Sequence, residues 1–212
     1  MTVDVGSTEQ QAGRRRRGVR PSRPTPRYRL VVLATGVSDV VMSAGGWLAD
    51  RALAGWDIEV LIADSAVDAA EIRALKILGS TVGDLPQLLE PSADLRPVSA
   101  VAVAADLFVA DPRVRDRVLH AYDRDVVEVT VWGANIPAEL TARFLNVEHV
   151  LSAAAQTFKQ HSLAALAAGG TPVPAIEGFR TGARRGIGHD LEPVGETYPT
   201  KDALRGRAGG RA

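Results

Sequence analysis

Residues 27–64 read RYRLVVLATGVSDVVMSAGGWLADRALAGWDIEVLIAD, and this stretch decides the fold. It opens on an apolar run, Arg29–Thr35, and closes on another, Asp57–Ala63. Short continuous runs of Val, Leu and Ile suit strands covered by helices on both faces, the pattern of a parallel sheet. Between them, Ser38 or Asp39 is expected to cap a helix that runs to about Ala54, with Gly55 closing it. Gly45 and Gly46 fall inside that helix, where each glycine costs about 1 kcal/mol relative to alanine. The pair predicts a close approach of the helix backbone to the sheet.

Outward from this unit the alternation continues. Ser99–Ala104 and Asp125–Trp132 read as strands, with a weaker one near Ser80–Val82. Helices are expected at Asp68–Leu78, closed by Gly79, and at Pro112–Tyr122, with proline in its first turn. The longest is expected at about Val147–Ala167, where Val147, Val150, Leu151, Ala154, Phe158 and Leu166 approximate an apolar stripe. Alternating strands and helices predict an α/β fold, a Rossmann-like three-layer sandwich around a mainly parallel sheet. A chain of 212 residues, 46% of them hydrophobic, supports one substantial core. Residues 28–170 are assigned to it. Residues 1–27, with Arg14 to Arg17 and three prolines, and residues 171–212, rich in Gly, Pro, Thr and Arg, are expected to be flexible tails.

The formal net charge is zero but unevenly spread. Residues 1–29 hold eight arginines against Asp4 and Glu9, and residues 178–212 hold seven basic and four acidic groups, so the middle is acidic. An acidic body with basic ends is not a dedicated nucleic-acid-binding surface. The arginine cluster reads either as a solubilising tail or as a contact for an anionic partner. There is no cysteine, which excludes disulfides, thiolate metal sites and cysteine nucleophiles and fits a cytoplasmic protein. No apolar run approaches the roughly 20 residues of a membrane span.

In open α/β sheets, ligands sit at the carboxyl ends of the strands, here the turn Thr35-Gly36-Val37-Ser38-Asp39. That turn has neither a glycine-rich dinucleotide fingerprint nor a phosphate-binding lysine. Asp64 stands where a ribose-binding acid would, but without the fingerprint the position carries little. His149 and His161, both expected on the long helix, are twelve residues apart and form no ligand pair. His120 and Asp123 are three apart, an exposed pair at a helix end, and His189 falls in the expected tail. Ser38, Ser43, Ser65 and Ser152 lack the G-x-S-x-G elbow of a serine hydrolase. Trp132, at a strand end, suits either stacking on a sugar ring or a place in the core.

The string SAGGWLADRALAGWDIEVLIAD resembles the opening of the PIG-L, or LmbE-like, deacetylase family, whose members read A-H-P-D-D-E, a few residues, then G-G. Ala44-Gly45-Gly46 and Ala54-Gly55-Trp56-Asp57-Ile58-Glu59-Val60 match that frame, and Glu71–Gly79 resembles the next helix. Asp111-Pro112-Arg113-Val114 takes the place of the family's His-Pro-Asp-His. VVEVTVWG and the segment with Phe158-Lys159-Gln160-His161 resemble its closing elements, so the resemblance covers about residues 28–168. It implies a zinc-dependent deacetylase fold. By the same frame the first metal histidine falls on Gly36, the general base on Ser38, and the metal-binding aspartate on Asp39, the one ligand retained.

Catalytic zinc needs about three protein ligands and an open position. The resemblance with these losses implies a fold that no longer holds zinc or deacetylates, with no cofactor and no catalytic residue assigned. Gly36, Ser38, Asp39, Asp111 and Trp132 remain as the candidate cleft for a partner protein or a small, sugar-derived ligand. Two alternatives stand beside it. One is an active metal-dependent N-acetyl-sugar deacetylase with displaced ligands Asp39, Asp106 and Asp111, which favour a divalent cation harder than zinc. The other is a different Rossmann-like module that binds nucleotide or serves an assembly, with the arginine tail on an anionic partner.

Overall fold

The structure is a computed structural model, and it describes residues 28–63, 66–86, 98–124, 127–182 and 190–194. Asp64, Ser65, His189 and the arginine-rich residues 1–27 lie outside them.

The first half follows the apolar pattern closely. Strands β1 (Arg29–Ala34), β2 (Asp57–Ile62), β3 (Thr81–Asp84), β4 (Ala100–Ala104) and β5 (Glu128–Trp132) pair in parallel in the order β3-β2-β1-β4-β5. Leu30 is in register with Ile58 on one side and Ala100 on the other. Between them come α1 (Val37–Leu53), α2 (Ala69–Ile77), α3 (Ala105–Ala110) and α4 (Pro112–Asp123). Helix α3 is not among the elements expected from the sequence. The β1-to-β2 and β4-to-β5 crossovers run in opposite directions across the sheet. Right-handed connections therefore place α1 and α4 on opposite faces, giving three layers. Leu30, Val32, Val60, Ala102, Val103 and Val129 lie at the centre with no exposure.

Helix ends follow local chemistry. Asp68 and Glu71 form a reciprocal capping box at the start of α2, satisfying two amides that the helix itself cannot. Gly55, at φ 90°, ends α1 in the left-handed region that glycine enters cheaply. At its other end the N-cap of α1 is Gly36, with no side-chain cap, so neither Ser38 nor Asp39 plays the expected capping part.

The second half departs from expectation. Leu145–Val150 is not the start of a long helix but a strand, β6. Helix α6 occupies only Ala153–Ala165, and α1, with 17 residues, is longer. Burial in β6 alternates, with Val147 and His149 inward, so a period of two sat under the apparent helical stripe. The overlooked boundary is Ser152, whose hydroxyl caps α6 by accepting from the Ala155 amide at 3.0 Å. The short α5 (Ala138–Thr141) precedes β6.

Residues 171–212, expected as a tail, contribute β7 (Ile176–Thr181) and β8 (Glu192–Pro193) to the same sheet. β7 sits between β5 and β6, antiparallel to both, and β8 pairs antiparallel with β6 at the edge. The sheet therefore extends past residue 170, and among the described residues it is an eight-stranded mixed one, mostly parallel.

Gly45 serves helix packing, while Gly46 allows the expected approach of the α1 backbone to the sheet, its amide reaching Glu177 of β7. A Cβ on Gly46 would lie 2.1 Å from Leu151 Cδ2, and one on Gly45 would touch Leu78 and Lys159. Helices α1, α2 and α6 pack on one another along this side. The Ser162 hydroxyl donates to the Ala74 carbonyl of α2 at 2.9 Å.

Candidate functional site

At the head of α1, Gly36 has extended backbone and no neighbour within 4 Å of where a Cβ would stand, so the space beside it is open. Ser38 is exposed. Asp39 is half-buried in the first turn, where the helix dipole favours a carboxylate. Both its oxygens are engaged: Oδ2 accepts from the Trp132 indole at 2.9 Å and Oδ1 from the Ser43 hydroxyl at 3.0 Å.

Trp132 is 1% exposed at the end of β5, so its ring is a core side chain lying under Asp39, without the open face that stacking on a sugar requires. Asp111 caps α4, accepting from the Arg113 amide at 2.9 Å and from its guanidinium at 3.1 and 2.7 Å. Those Arg113 contacts hold the Asp111 carboxyl below its ordinary value. Asp39 and Trp132 are thus brought together directly, whereas Asp111 is tied into its own helix turn.

These residues do not fit a catalytic zinc. Gly36 offers no side chain, Ser38 a neutral hydroxyl, and Asp39 and Asp111 carboxylates already turned toward protein donors. Arg113 brings a cation where a ligand would stand, and Val114 is fully buried. Among the described residues no three His, Asp or Glu side chains converge into a metal-holding group, so Asp39, Asp106 and Asp111 form none.

The densest polar chemistry lies elsewhere, and sequence reasoning missed it. Glu177 of β7, 1% exposed, pairs with the equally buried Lys159 of α6 at 2.6 Å. Its two oxygens also accept from the backbone amides of Gly46 and Trp47 at 2.9 and 2.8 Å, while Lys159 donates to the Met42 carbonyl at 2.6 Å. The missing side chain at Gly46 is what lets β7 and Leu151 come so near to α1. The glycine pair was therefore the one available signal.

At the far end of α1, the Arg51 guanidinium lies 4.3 Å from the ring centres of both Trp47 and Trp56. It pairs with Glu128 at 2.9 Å and with Asp190 at 2.9 and 3.0 Å. Burial pushes the Glu128 carboxyl up despite Arg51 beside it. Asp190 also accepts from the Trp47 indole at 2.8 Å. Burial raises the Asp190 carboxyl, but the Arg51 contacts outweigh this and leave it below its ordinary value.

His149, on β6 rather than on a helix, places Nδ1 2.7 Å from the Asp190 carbonyl and Nε2 2.9 Å from Asp50. Asp50 in turn accepts from the Ser152 hydroxyl at 2.5 Å and the Ser152 amide at 3.0 Å. These three residue types look like a nucleophile relay, but here the carboxylate stands between serine and histidine. The imidazole cannot take the hydroxyl proton in that order, so the group is structural.

No protein-family model matches the chain, and no curated protein matches it. Solved structures do. A deacetylase triple mutant from the teicoplanin biosynthetic pathway is 14% identical, covering 80% of this chain and all of the other, with a TM-score of 0.49. The A40926 pseudoaglycone deacetylase is 16% identical over 68% of this chain and 83% of its own, at 0.47. The 4-carboxy-2-hydroxymuconate hydratase of Pseudomonas putida KT2440 is 12% identical over 81% and 99%, at 0.50.

At such identities the likeness is one of fold. The chain shares the α/β fold of the hydratase. A shared fold does not by itself name the reaction. Among the described residues no helix is long and apolar enough to cross a membrane.

Proposed function

We propose that this chain is a deacetylase-fold protein of the cytoplasm that has lost catalytic zinc and deacetylase activity and now binds a small, sugar-derived ligand or a partner protein. The observation that carries the reading is Asp39. The one family ligand retained has both oxygens turned to Trp132 and Ser43, and its implied companions are Gly36 and Ser38. A single carboxylate in that state is a poor basis for holding zinc or lowering the pKa of a bound water. The open space beside Gly36 leaves room for a ligand at the sheet's switch point.

The test is metal analysis of the purified full chain after exposure to zinc, with an assay of acetate release from an N-acetylglucosamine substrate. Substoichiometric zinc and no acetate are expected. One zinc per chain together with turnover would sink the reading.

A further inference from the structure

We propose that the seam between α2 and α6 binds a small amphiphile with a carboxylate head and an apolar body of medium length. This goes beyond the reading above and does not depend on it. The seam is a groove of about 670 Å³ lined by Arg73, Lys76, Ile77, Phe158, His161 and the alanines 164 and 165. A volume of roughly 300–1,000 Å³ is the usual size of a small-molecule site.

Its chemistry is asymmetric. Arg73 and Lys76, three residues apart on exposed positions of α2, face one way along a helix, and neither has an ion-pair partner among the described residues. His161 adds a third nitrogen base from α6, and no acidic side chain lines the groove. The guanidinium fork of Arg73 matches a carboxylate in shape as well as charge. Phe158 is 38% exposed, one of few large apolar side chains left open to solvent. With Ile77 and the small alanines it makes an apolar bed beside the cations.

The two helices that form the walls are tied to their neighbours. Ser162 holds the α2 backbone through the Ala74 carbonyl at 2.9 Å, and Lys159, beside Phe158, anchors α6 to Glu177 and Met42. Helices already held together lose little backbone freedom on binding. A head-and-body ligand satisfies both halves of the surface, whereas a bare ion or a neutral chain satisfies only one.

The test is calorimetric titration of the full chain with sodium decanoate below its micellar range, alongside decanol and acetate. One saturable decanoate site is expected, with decanol and acetate each at least roughly tenfold weaker. Arg73→Gln/Lys76→Gln should weaken decanoate at least roughly tenfold, and added salt should weaken it in the wild type. Ala164→Phe, which fills the bed without touching a charge, should abolish binding while the melting temperature holds. The proposal is overturned by non-saturable uptake, by equal affinity for decanol or acetate, by variants that bind as the wild type does, or by a polyglutamate peptide binding where decanoate does not.

Discussion

At the head of α1, Asp39 meets two neutral donors, Trp132 and Ser43, beside an open turn. About three turns further along the same helix, Asp50 and Arg51 sit in a mesh of charged and aromatic groups drawn from β5, β6 and the segment after β7. The end where α/β folds usually hold ligands is electrostatically sparse, and the flank where they usually hold only packing is dense. The dense region does identifiable structural work. Lys159, Glu177, Arg51, Asp190 and His149 bind the antiparallel half of the sheet to the helix that the parallel half produced. The Lys159–Glu177, Arg51–Asp190 and His149–Asp50 contacts therefore join the two halves.

The sharpest way to break that contrast is Glu177→Ala. It leaves Lys159 as a buried cation without its partner and strips the acceptor from two amides, an expected loss of about 3–5 kcal/mol in denaturant unfolding. Lys159→Met/Glu177→Gln should lose clearly less, because the charge goes while an acceptor stays. A cost of about 1 kcal/mol or less for Glu177→Ala, the range of an exposed pair, would show that the dense region is not holding the sheet together.

Next comes Gly46→Leu. Its first carbon already collides with Leu151, so overpacking of about 1–3 kcal/mol or more should appear as a lowered melting temperature.

Acid titration sharpens the comparison further. Burial raises the Asp50 carboxyl, and the Ser152 and His149 contacts more than offset it, so Asp50, like Asp190, is held below its ordinary value. The stability these two groups supply is present above pH about 3.9, the ordinary aspartate value, and is lost as pH falls through their lowered values. Stability measured against pH should drop there, and Asp50→Asn should flatten the drop. Glu128 has the opposite sign. Its raised carboxyl gives stability that is full below the ordinary glutamate value and lost as pH rises through the raised one. Among the described residues its Oε2 has no hydrogen-bond partner.

The smallest effect is expected at the head of α1. Asp39→Asn should change unfolding free energy by about 1 kcal/mol or less and leave zinc content unaltered by metal analysis. A loss of bound zinc in that variant would reverse the contrast and count against the proposed function.

The halves were unequally legible. Arg29–Ala34, Asp57–Ile62 and Ala100–Ala104 were readable because strands buried on both faces are continuous apolar runs. Gly55 and Gly79, both at positive φ, marked the expected helix ends. Leu145–Val150 was misread because its alternation is short, carries Glu148 and His149, and overlaps a helical spacing. Ile176–Thr181 was passed over because flanking Pro, Gly and Thr look like a tail until a neighbour pairs with them. At the candidate site, the positions of Gly36, Ser38 and Asp39 could be counted from the glycine pair. The engagement of Asp39 by Trp132, 93 residues away, could not.

Taken alone, the amino-acid order determined the parallel α/β frame, because apolar periodicity, turn glycines and capping residues act within one or two turns of chain. Tertiary structure decided the antiparallel half and, among the described residues, the partners of the buried charges. Gly46 and Glu177 meet across 131 residues, and Asp50 and Ser152 across 102. A charge is stable inside a protein only when its partner is delivered by the fold, and no local pattern records that delivery.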